Sequence, residues 1–210
     1  MSRQRYTVTE RRIIASCRTP RMTQRWIRSL RYNWERSGRS LLSFRGVVRR
    51  RAAHCVEAAL AAAAIMEYHG WPPLLLDLQS QDRLDHVVFA FCHRGRWGAI
   101  GASRDAGLHG RRPVFRSLRA LALSYYEPYV DLTARIVAFG LVDLQRFRWY
   151  DWRTSTRNMW KIEPFIDSQP HERLPTDDAR YRTLRAAYRA YLEHGPASGT
   201  PHVRGRHTWM

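Results

Sequence analysis

Three residues between Arg51 and Asp105 have side chains that could do chemistry together: Cys55, His86 and Asp105. A thiol acts as a nucleophile in its thiolate form, an imidazole can take and return the proton, and a carboxylate can hold that imidazole in one tautomer. Cys55 is predicted in the first turn of an alanine-rich helix over 52–68, where the positive helix end lowers a thiol pKa and its own amide can donate to a developing oxyanion. His86 starts an apolar run that reads as a strand, and Asp105 follows a third strand over 97–102.

The geometry depends on a hairpin. A turn at Arg94-Gly95 pairs His93 with Arg96, which sets His86 opposite Ser103 and makes Asp105 the diagonal neighbour on the same face. Val88, Ala90 and Cys92 then share the His86 face, and Val87, Phe89 and Phe91 take the other. A one-residue slip would send Asp105 to the wrong side. Asp85 is expected to point away from His86 and cap its loop. His54 competes as base, but neighbours on a helix diverge by about 100°. The sequence holds no Cys/His zinc spacing, no phosphate-binding glycine loop and no serine elbow, so neither a metal nor a cofactor is expected.

These elements must be held by a scaffold. The 210 residues are enough for one domain with extensions, and 44% hydrophobic content with eight Trp, ten Tyr and seven Phe argues for a folded core. Residues 1–22 read as a disordered arm, or as untranslated if synthesis starts at Met22. Residues 23–145 read as the core with preceding helices, 146–194 as an aromatic, arginine-rich extension ending in a helix, and 195–210 as a flexible tail. One helix is predicted around Trp26, Ile27, Leu30 and Trp34, ending near Ser37-Gly38, and another from Ser40. Leu74 to Leu78 reads as a buried strand, 117–126 as a helix and 135–142 as a further strand.

The formal charge of +18 raises the prospect of an acidic or nucleic-acid partner on the face carrying Arg45, Arg49, Arg50 and Arg51. All but one of the 36 basic residues are arginine, which points to coding bias rather than a surface built for phosphate. The aromatic residues of 145–165 are expected to pack on the core rather than stack on bases. Three widely spaced cysteines offer no disulfide framework, and no apolar run reaches the ~18 residues that span a bilayer. A cytoplasmic setting without membrane contact follows as the expectation.

From Gly46 to Leu108 the chain resembles the core of the transglutaminase-like superfamily, relatives of the papain-like cysteine hydrolases. The resemblance rests on Cys55 opening its helix, the run Glu67-Tyr68-His69-Gly70-Trp71-Pro72-Pro73 leading into a strand, His86 starting the next strand, the tip Arg94-Gly95-Arg96-Trp97, and Asp105 beyond. Ala53 stands where the family often has glycine, and Val88 where it often has an aromatic residue. The resemblance implies an α+β fold with the cysteine helix packed on a small antiparallel sheet. It also implies a Cys55-His86-Asp105 triad and acyl transfer on the amide bonds of a peptide or protein substrate. The small bacterial proteases of the superfamily that cut leader peptides are similar in size and motif order. A member of the fold that has lost catalysis and binds nucleic acid or an acidic protein partner is the alternative.

Overall fold

The computed structural model describes residues 6–36, 38–195 and 208–210. The first helix, α1 (Val8–Ser16), starts with a reciprocal cap: the Glu10 amide donates to the Thr7 hydroxyl, and the Thr7 amide donates to the Glu10 carboxylate. Glu10 is 1% exposed and also accepts from the Arg45 guanidinium at 2.7 and 3.0 Å. Tyr6, Ile14 and Cys17 are buried in the main core. The expected disordered arm over 1–22 is therefore corrected from residue 6 onward, because this segment buries both apolar side chains and a paired acid; residues 1–5 lie outside the described residues.

Pro20 at the first turn and the Thr19 cap begin α2 (Pro20–Arg28), which ends at Ser29. The helix expected through Trp34 is thus shorter and earlier. Arg31–Tyr32 instead forms β1, paired in parallel with β2 (Ala52–Ala53), and the expected helix end at Ser37 lies outside the described residues. Ser43 caps α3 (Phe44–Arg50), which starts later than the expected Ser40, and Arg51 closes it in the left-handed region. The central helix, α4, runs Cys55–Tyr68. Its alanines from Ala58 to Ala64 are fully buried, so neighbouring elements approach it closely.

A six-stranded antiparallel sheet packs on α4. It is built from β3 (Leu74–Ser80), β4 (His86–His93), β5 (Arg96–Ile100), β6 (Arg111–Phe115), β7 (Ile136–Asp143) and β8 (Glu172–Arg173), in the order β6-β5-β4-β3-β7-β8. The hairpin turns at Arg94 and Gly95, both with positive φ, and pairs His93 with Arg96. Leu75, Val87, Phe89, Phe91 and Val142 join the core with α4. Leu76, Leu78, Val88 and Ala90 lie in a second cluster under α5 (Leu118–Tyr129). The fold is α+β, with helices on both faces of one sheet.

The aromatic segment expected over 146–194 packs into the main core and ends in a helix. Phe147, Trp152, Met159, Ile162 and Ile166 belong to the same core as α4, and Arg153 binds Glu67 of α4 at 2.6 and 2.7 Å. This segment carries α6 (Ile162–Asp167) and leads to the last helix, α7 (Asp178–His194). The tail expected over 195–210 falls mostly on 196–207, outside the described residues. Trp209 bridges to Arg111, and Met210 packs against the main core. Among the described residues no helix is long and apolar enough to cross a membrane.

Candidate active site at the head of α4

Three elements bring the site together. Pairing of β1 with β2 ends the extended chain at Ala53, so α4 starts at Cys55 with its first amides free of intrahelical partners. β4 begins at His86. Its ladder with β5 starts only at Phe89 and Ile100, so the first residues of β4 have no partner strand on that side. The helix head meets β4 there, with the Cys55 Sγ 4.0 Å from the Asp85 carbonyl. Cys55 is half-buried and lines a cleft of about 1020 Å³ with Tyr32, Trp34 and Asp85.

Two imidazoles flank the sulfur. His86 is buried, and its Nε2 donates to the Leu108 carbonyl at 2.8 Å, which leaves Nδ1 as the proton acceptor. His54 is the second imidazole beside the sulfur. Its Nε2 is 3.2 Å from the Ser40 carbonyl and 3.5 Å from Glu57 Oε1. Burial alone would raise the Cys55 pKa, but hydrogen bonds from His54 and His86 and their charge outweigh it and bring the thiol down to about 5. Burial would lower His54, yet the facing sulfur and then Glu57 push it up to about 9. The resting state at neutral pH is a thiolate beside an imidazolium.

Glu57 is the anchor behind this pair. It is 0% exposed and accepts from the Leu42 amide at 2.9 Å, the His54 amide at 3.0 Å, the Ser40 hydroxyl at 3.2 Å and the Asn33 amide group at 2.9 Å. A buried carboxylate with that many donors fixes the residues around it. It ties the loop before α3 to the first turn of α4, and so holds His54 in place.

Of the three residues expected to act together, Cys55 and His86 meet and Asp105 stands apart. Asp105 is exposed, its amide donates to the Ser103 hydroxyl at 3.2 Å, and its carboxylate pairs with Arg104 at 3.3 Å. The hairpin register is the expected one, but β5 stops at Ile100, so the ladder never reaches Ser103 and the diagonal to Asp105 does not form. The Leu108 carbonyl orients His86 instead. Asp85 caps its loop as expected, accepting from the Ser80 amide at 2.7 Å.

Sequence reasoning set His54 aside on helix geometry that does not apply to it. The residue precedes the helix with φ −91° and ψ −175°, so its side chain is free of the helical rotation that separates neighbours. The signal that could have found it is Glu57 three residues later, the spacing of a capping box. The aromatic segment 145–165 packs as expected: Trp152 is fully buried and Phe147 stacks on Phe165 at 4.3 Å. Cys17, Cys55 and Cys92 are all free thiols. No protein-family model matches the chain, and no curated protein matches it.

Proposed function

We propose that the chain is a cysteine-dependent acyl-transfer enzyme acting on amide bonds, in an arrangement of the transglutaminase-like kind. The observation that carries this reading is Cys55, placed at a helix head on an open cleft between two imidazoles that hold it as thiolate. The thiolate attacks the amide carbon. Amides at the head of α4 stabilise the oxyanion, and the protonated imidazole gives its proton to the departing amine. Water, or an amine in a transamidation, then attacks the thioester while the imidazole takes back a proton. Cys55, His54 and His86 are the catalytic residues: His54 is the imidazolium of the resting pair, and His86 offers the free Nδ1 that accepts a proton, while Glu57 is the positioning residue that anchors His54. A peptide or protein amide is the substrate class that matches a cleft this open. A reducing, cytoplasmic setting suits three unpaired thiols.

A thiol-directed electrophile tests the reading. It is expected to label Cys55 faster than the exposed Cys92 or the buried Cys17 at mildly acidic pH, and His86→Ala is expected to remove that preference. Equal labelling of the three cysteines would overturn the proposal.

A further inference from the structure

The same cleft also holds a corner built from acids that the thiol chemistry leaves unused. Asp77 sits in the middle of β3, in the otherwise apolar run Leu74-Leu75-Leu76-Asp77-Leu78, and is 1% exposed. Its Oδ2 lies 2.9 Å from His171 Nε2. The Nδ1 of that ring donates to the Gln169 carbonyl at 2.7 Å, so the contact with Asp77 needs a second proton, and the pair is neutral overall wherever that proton sits. The ring reaches Asp77 because the residue paired across the sheet is Gly140, where a Cβ would come within 2.6 and 2.7 Å of the ring atoms.

The other oxygen of Asp77, Oδ1, is buried and has no hydrogen-bond partner among the described residues. Leaving a buried acceptor unsatisfied costs about 1–3 kcal/mol, so a retained one calls for a ligand. Asp85 and Asp167 complete the corner, and one carboxylate oxygen from each of the three acids lies within 4.8 Å of the others. Asp167 ends α6, where the helix dipole disfavours negative charge, and its carboxylate has no partner among the described residues. Asp85 and Asp167 therefore add two negative charges beside a neutral pair.

We propose that Asp77, Asp85 and Asp167 bind a hard divalent cation, Ca2+ foremost, in this corner of the cleft. Carboxylate oxygens select hard cations, and two positive charges match the two uncompensated negative ones. Oxygens that all lie within 4.8 Å of one another are close enough to share one Ca2+, whose ligands stand about 2.3–2.6 Å from the ion. Size argues against an ammonium group, such as a lysine side chain of a substrate. Its nitrogen approaches an oxygen only to about 2.7–2.9 Å, roughly as a water does, and Oδ1 is closed to groups of water size. A bare cation coordinates at shorter range. His171 would then hold Asp77 from behind as an outer partner of the ion.

The site stands independently of the acyl-transfer reading, since ion binding is measurable with Cys55 blocked. Calorimetry on the full chain with CaCl2, then MgCl2, in buffer free of phosphate is expected to give one saturable ion per chain, with a Kd of about 1 mM or tighter and a raised Tm. Asp167→Asn, an exposed change that leaves the Tm in chelator unaltered, is expected to weaken binding at least tenfold, and Asp85→Asn likewise. Absence of heat and of a Tm shift with either ion would overturn the proposal, as would unchanged binding in Asp167→Asn. A Tm rise with a primary diamine but none with Ca2+ would also overturn it, in favour of a pocket for a cationic side chain.

Discussion

The head of α4 and the acidic corner line one cleft and handle charge in opposite ways. At the helix head a group that is ordinarily neutral becomes charged, because two imidazoles outweigh the cost of burial and bring Cys55 down to about 5. In the corner a group that is ordinarily charged is driven toward neutrality. Burial raises Asp77 to about 6, and Asp85 and Asp167 add to the rise against the pull of His171. The protein itself supplies what the sulfur needs, through Glu57, His54 and His86. It does not supply what the acids need. A cleft balanced on one side and uncompensated on the other separates a group prepared for reaction from a group waiting for a ligand.

That contrast can be broken from either end. The largest effect is expected for His86→Ala, which removes the buried imidazole from the sulfur. Each pKa unit is tenfold in thiolate below the pKa, so Cys55 alkylation near pH 6 should fall by about 10- to 100-fold, read by mass spectrometry of the labelled peptide. His54→Gln should lower the same rate by about tenfold, and in the unaltered protein the His54 ring should titrate near 9 by NMR and return toward its ordinary value in Cys55→Ala.

Glu57→Gln replaces an acceptor that four groups donate to. The expected loss is about 1–3 kcal/mol of stability by denaturant unfolding, with a rise in the thiol pKa. Gly140→Ala should affect the other end alone, costing about 1–3 kcal/mol by driving a methyl into the His171 ring while Cys55 reactivity stays within twofold. The smallest effect is expected for Asp105→Asn. An exposed carboxylate paired with its neighbour Arg104 should leave the alkylation rate and the Tm nearly unchanged.

Much of this arrangement was legible in the residues. Alanine propensity and a nearly all-apolar surface marked α4, apolar runs marked β3 and β4, and Arg94-Gly95 set the hairpin register that pairs His93 with Arg96. What the register could not give was its length. β5 stops at Ile100, and Gly101, whose backbone bonds Gln24 of α2 at both its amide and its carbonyl, leads the chain away before Asp105 can face His86. Residues 6–17 read as polar and loose because the partner that makes Glu10 a structural acid, Arg45, is distant in sequence. Asp77 carried its own signal, a charge inside an apolar strand. Its companions Asp85 and Asp167 come from a loop and a helix end, and only the fold brings them together.

The pH dependence of Cys55 alkylation tests the central claim most directly. Rates followed at Cys55 alone, with the exposed Cys92 as the internal reference, should rise with a midpoint near 5 and stay flat through neutrality. A Cys55 profile that coincides with that of Cys92 would contradict the account.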